Sequence, residues 1–92
     1  MSRFIAGYET IDGTISNIAN DLKVRCCKHG YGSFSSNHEA LGVIQEEIYE
    51  LTKAIHENDV NAIYEELNDT MIACLWGMIS METKGYQRRV IE

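Results

Sequence analysis

Apolar residues recur every three or four positions in long stretches of the chain, and short polar stretches separate them. This spacing is typical of amphipathic helices, because residues three or four apart share one face of a helix. The first such stretch predicts a helix over 13–29, capped by Asp12 and stopped by Gly30, with residues 1–12 irregular. Its apolar positions are Ile15, Ile18, Ala19, Leu22 and Cys26.

A loop rich in glycine and serine separates this helix from a second predicted helix. Ser36 and Glu39 have the spacing of a capping box, in which the serine accepts from the amide of Glu39 and the glutamate reaches back, so the helix is expected to start there and end by His56. An apolar stripe along it is expected to pack against an antiparallel neighbour. The stripe consists of Leu41, Ile44, Ile48, Leu51 and Ile55.

A third helix is predicted to follow a short turn at Asn58–Asp59 and to reach about Lys84, before Gly85. Its apolar period comprises Val60, Ile63, Leu67, Met71, Cys74 and Met78. The short turn makes the second and third helices antiparallel neighbours. The predicted fold is therefore all-α: one domain over 1–92 with a helical hairpin and a packing helix, and a possible flexible tail at 86–92.

Composition narrows the functional classes further. The chain has 92 residues with a net charge of −6 and a pI near 4.9, which disfavours binding to duplex nucleic acid. Cys26, Cys27 and Cys74 have the spacing of neither a disulfide framework nor a zinc site, so reduced thiols and a cytoplasmic location are expected. No signal peptide and no membrane-spanning segment is apparent.

Two acidic clusters stand out, Glu46-Glu47-Ile-Tyr-Glu50 and Glu65-Glu66-Leu-Asn-Asp69. Within each cluster, two acids three residues apart share a helix face with alanines, which is unusual for a fully solvated face. The predicted hairpin brings four of these acids together: Glu47, Glu50, Glu66 and Asp69.

Four converging carboxylates should repel one another unless protons or hard cations neutralise them. Ligands that are all oxygen atoms select Mg²⁺ or Mn²⁺, and such an ion could bring a nucleotide phosphate onto an acidic protein. Simple solvated acidic faces are the alternative interpretation. A di-iron bundle is a further rival, but it requires Glu-x-x-His pairs, and none of His29, His38 or His56 follows a glutamate at that spacing.

The pattern Glu-Glu-x-x-Glu, a spacer of 15 residues and Glu-x-x-Asp resembles the all-α nucleoside triphosphate pyrophosphohydrolases of the MazG-like group, over about residues 22–82. The resemblance implies a four-helix-type bundle completed by oligomerisation. It also implies Mg²⁺-dependent cleavage of a nucleoside triphosphate, ribose or deoxyribose, to the monophosphate and pyrophosphate. Glu47, Glu50, Glu66 and Asp69 would be the metal ligands, and Glu46 would assist the metal or the attacking water.

Residues outside the clusters supply candidate substrate contacts. Guanidinium and ammonium groups suit phosphate oxygens, and Trp76 could stack on a base, although a packed core or subunit-interface position is the more common role of such a tryptophan. The basic candidates are Lys28, Lys84, Arg88 and Arg89.

The stretch Met71–Met81 is apolar nearly all round, and one neighbouring helix cannot cover it. This predicts that a second subunit covers the helix, and the family resemblance implies a homodimer or homotetramer. The alternative to an enzyme is a non-catalytic helical oligomerisation or interaction protein whose acids are only surface charge.

Overall fold

The computed structural model describes residues 2–83 and contains three helices, with no strand in that part of the chain. They are α1 (Tyr8–His29), α2 (Asn37–His56) and α3 (Val60–Glu82). The all-α prediction is confirmed. The chain divides into two compact units, Met1–Tyr31 with α1 and Gly32–Glu92 with α2 and α3.

α1 begins at Tyr8, earlier than predicted, and Gly7 is its N-cap without a side-chain hydrogen bond. The prediction that Asp12 caps the helix is therefore wrong, as is an irregular segment reaching residue 12. Residues 8–12 contain neither proline nor glycine, and Glu9 is favourable in a first turn, so nothing in this stretch prevents helix formation. The predicted stop is confirmed: Gly30 has a φ of 98° and donates its amide to the Cys26 carbonyl at 2.8 Å.

α2 begins with the predicted side-chain cap. The Glu39 amide donates to Ser36 Oγ at 3.0 Å, while the Glu39 carboxylate accepts from the Ser35 amide at 2.8 Å. The glutamate thus reaches one residue further back than in a standard capping box. The backbone amides of Ser35 and Glu39 both have side-chain acceptors. The predicted end of the helix at His56 is confirmed.

A tight turn joins α2 to α3. Asn58 adopts the left-handed conformation with a φ of 54°, which asparagine tolerates better than most residues. The Asp59 side chain caps α3 by accepting from the Ala62 amide at 3.1 Å. α3 ends at Glu82, slightly before the predicted end at Lys84. Lys84 itself and the tail predicted at 86–92 lie outside the described residues.

The two helices bury mainly small side chains, and the predicted leucine and isoleucine stripe is not buried, with Ile44 and Leu51 only partly covered. Ala40 and Ala54 are the buried residues of α2, whereas Leu41, Ile48 and Ile55 keep 52%, 47% and 52% of their surface exposed. On α3 the buried residues are Ile72, Ala73, Gly77 and Ser80. Small residues let helix backbones approach closely, and this places the acids of the same row against the opposite helix.

The loop before α2 is fixed to the C-terminal half of α3 by two hydrogen bonds. The Phe34 amide donates to Ser80 Oγ at 3.0 Å, and the Trp76 indole N–H donates to the Gly32 carbonyl at 3.0 Å. Ser80 is completely buried, so its hydroxyl depends on partners within the protein. These bonds close the end of the hairpin opposite to the turn.

Candidate metal centre

Three of the predicted ligands lie together between α2 and α3. Glu47 on α2 and Glu66 and Asp69 on α3 each have a carboxylate oxygen within 4.8 Å of the others, and all three side chains are partly buried. Glu66 and Asp69 are three residues apart, so both project from one face of α3 towards Glu47. The antiparallel hairpin supplies the third carboxylate from a distant position in the sequence.

The other two predicted acids lie outside this group. Glu50 is exposed, yet it is close enough to Glu66 to affect its charge, and both residues line one open pocket. Glu46 is exposed and is not a member of the three-carboxylate group. The roles of Glu46 and Glu50 in binding metal or water stay predictions.

The surroundings of Glu66 disfavour its ionised form. Its pKa is raised above the ordinary value, mainly because partial burial disfavours the charged form, and further because Asp69, Glu50 and Glu65 are negatively charged neighbours. A bound cation would reverse this effect by stabilising the ionised carboxylates. The site therefore has the electrostatic character of a cation site.

The donor chemistry fits a hard divalent cation. All three ligands offer carboxylate oxygens, and none of the described histidines or cysteines joins the group. Mg²⁺ and Mn²⁺ favour such ligands, and Mg²⁺ keeps several waters when only a few carboxylates bind it. The partial exposure of the three acids leaves them accessible to such waters.

Of the remaining predicted substrate contacts, the described part of the chain includes Trp76 and Lys28. Trp76 is partly buried, and its indole N–H is already bonded to Gly32. Lys28 lies exposed in the last turn of α1, and its contact with phosphate stays a prediction. Lys84, Arg88 and Arg89 lie outside the described residues.

Sequence reasoning missed one basic residue beside the acids. Lys53 lies three residues after Glu50 and lines the same open pocket, so its position on the acidic face of α2 could have been found from spacing alone. The residues that line the pocket are Glu50, Lys53, Ala54, Glu57, Ala62 and Glu66.

Comparison with protein families gives one match, to the MazG nucleotide pyrophosphohydrolase domain over residues 35–86. Comparisons with curated proteins and with solved structures gave no significant match. The matched segment is more than half of the chain and contains α2, α3 and all five predicted acids. The family uses divalent metal ions, in agreement with the three-carboxylate group. The chain therefore belongs to the MazG nucleotide pyrophosphohydrolase family.

Proposed function

We propose that the protein is a Mg²⁺-dependent nucleoside triphosphate pyrophosphohydrolase, with Mn²⁺ as a possible substitute. The reaction consumes one water and a ribonucleoside or deoxyribonucleoside triphosphate, breaks the bond between the α- and β-phosphates, and releases the monophosphate and pyrophosphate. The observation that carries the proposal is the group formed by Glu47, Glu66 and Asp69, within the segment that matches the family.

The acids have distinct roles in this proposal. Glu47, Glu66 and Asp69 hold the metal, Glu50 completes the ligand set beside Glu66, and Glu46 assists the metal or the water. When bound, Mg²⁺ neutralises phosphate charge and favours attack by water. The chain contributes rigidity, because each acid stands on a helix of the closely packed hairpin and keeps its position without the substrate.

We further propose that the protein is a homodimer or homotetramer. α3 exposes a row of apolar residues spaced by three, four or seven positions, and α2 exposes Leu41, Ile48 and Ile55. A second copy would remove these surfaces from water. The residues of the α3 row are Val60, Tyr64, Leu67, Met71, Met78 and Met81.

The same exposed row favours the alternative, a non-catalytic oligomerisation or interaction protein. In that case the acids would be surface charge, and neither metal nor nucleotide would bind at them. No described helix is long and apolar enough to cross a membrane. The three cysteines are free, which agrees with the proposed cytoplasmic location without establishing it.

The deciding experiment is turnover of a panel of nucleoside triphosphates, with release of pyrophosphate as the readout, in Mg²⁺ and in EDTA. The enzyme proposal expects pyrophosphate release that requires the metal and disappears in Glu47→Gln. Asp12→Asn, which removes an exposed carboxylate on α1, is the matched control and should keep full activity. An oligomer without turnover on any substrate, and without a response to Mg²⁺, supports the non-catalytic alternative.

A further inference from the structure

The open pocket beside the metal centre lies on the side of the acids nearest to the α2–α3 turn. It shares Glu66 with the three-carboxylate group, and its floor includes Ala54 and Ala62, the small residues that flank the turn. Lys53 lies six residues after Glu47, about 9 Å closer to the turn along the axis of α2. The pocket therefore continues the metal centre in one direction along the hairpin.

Charge determines what this pocket can accept. The lining holds three glutamates and one lysine, so an anion can enter only when a cation offsets the charge of Glu50 and Glu66, which belong to the proposed ligand set. Lys53 and Glu57 are then the remaining charged groups of the pocket. This lining offers no aromatic surface on which a base could stack, whereas an ammonium group beside metal-binding carboxylates suits phosphate oxygens that also bind the metal. The pocket thus fits the charged end of a nucleotide and not its base.

The opposite direction along the hairpin has a different chemistry. Trp76 lies seven residues after Asp69, about 10 Å further from the turn. Its hydrogen bond to Gly32, together with the bond from Phe34 to Ser80, holds a loop with an aromatic residue at this end. Aromatic and loop groups thus lie on one side of the acids, and the lysine pocket lies on the other.

We propose that Lys53 binds the β- and γ-phosphates, so that the triphosphate extends from the metal centre towards the α2–α3 turn and the nucleoside extends towards the loop at Gly32. This assignment rests on the proposed function for the identity of the substrate. It makes Lys53 a residue of the pyrophosphate product site, and it gives the substrate one direction along the hairpin.

The test measures binding of inorganic pyrophosphate and of nucleoside monophosphates by calorimetry in Mg²⁺, alongside turnover. In Lys53→Met, pyrophosphate affinity and the KM for triphosphate should worsen by roughly tenfold or more, because a charge-assisted contact is lost. Monophosphate affinity should not change. Lys53→Arg should recover most of the pyrophosphate binding, and Lys23→Met, a neutralised exposed lysine on α1, should behave as wild type.

The outcomes separate this inference from the proposed function. Pyrophosphate binding that depends on Lys53 without turnover would reject the enzyme and keep the pocket. Normal turnover with unchanged pyrophosphate binding in Lys53→Met would overturn the role of Lys53, as would a loss confined to monophosphate binding. A wild-type protein that neither turns over nor binds pyrophosphate would overturn both. Mg²⁺-induced stabilisation should persist in Lys53→Met, and its loss would instead assign the lysine to maintaining the acidic site.

Discussion

Glu47 on α2 and Asp69 on α3 have carboxylate oxygens within 4.8 Å of each other, although 21 residues lie between them in the sequence. The packing of buried alanine and glycine residues along the two helices brings these acids together. The acids therefore stand on the packed side of the hairpin and not on a freely solvated face. Their proximity underlies the first three predictions.

Replacing Glu47 by glutamine should abolish most pyrophosphohydrolase activity. The amide keeps the shape of the side chain but removes a charge that binds the metal, and phosphoryl transfer depends on positioning and charge neutralisation. Turnover in saturating Mg²⁺ should fall roughly a hundredfold or more. Retention of near-normal turnover would remove Glu47 from the site.

Mg²⁺ should stabilise the folded protein. A cation that binds the native carboxylates but not the unfolded chain raises the free energy of unfolding by mass action, about 2.7 kcal/mol at a hundred times its Kd. The melting temperature should rise with Mg²⁺ concentration in the wild type and in Asp12→Asn, and much less in Glu66→Gln. A flat titration of the wild type would contradict the metal centre.

The raised pKa of Glu66 predicts a distinctive pH dependence in EDTA. Between the unfolded value near 4.5 and the higher folded value, the native state binds more protons, so stability falls as pH rises through this window. Below the unfolded pKa Glu66 is protonated in both states and does not lower the stability. Above the folded pKa it is ionised in both states, and the loss of stability is constant. Urea unfolding across pH should show that Glu66→Gln becomes more stable relative to wild type as pH increases. A stability difference between the two proteins that is independent of pH would show that folding does not raise the pKa of Glu66.

Met78→Glu should dissociate the proposed oligomer. Met78 is 65% exposed in the single chain, so the charge costs little in a monomer but would be buried and unpaired in an interface. Light scattering should show a smaller species while circular dichroism remains helical. Asn20→Glu adds the same charge at an exposed polar position of α1, away from the proposed interface residues of α2 and α3, and should leave the assembly intact. A monomeric wild type would refute this prediction directly.

Ser80→Ala should loosen the loop before α2. The substitution removes the acceptor for the Phe34 amide, and an unsatisfied polar group in a partly buried position costs about 1–2 kcal/mol. Urea denaturation should detect this loss, and the Trp76 fluorescence should change because the indole binds the same loop. Ser33→Ala, at an exposed position of the loop, is the control and should change neither quantity.

The sequence by itself determined the features that depend on near neighbours. The caps at Ser36 and Asp59 and the stop at Gly30 were predictable because each involves a hydrogen bond within about one helical turn. The acidic pattern and the turn were also readable from spacing, and so was the family. The start of α1 was misplaced by several residues, since Gly7 caps it without a side chain and leaves no signal.

Tertiary structure decided which helix faces meet. Both the leucine and isoleucine stripe and the alanine row of α2 have helical spacing, so periodicity could not choose between them. In the structure the row with Ala40 and Ala54 is buried, because small side chains allow two helices to approach closely. That choice brought oxygens of three carboxylates to within 4.8 Å of one another, placed Lys53 in one pocket with Glu66, and left Leu41, Ile48 and Ile55 half-exposed. Such consequences arise from the sum of many contacts between residues distant in sequence, and no local pattern encodes that sum.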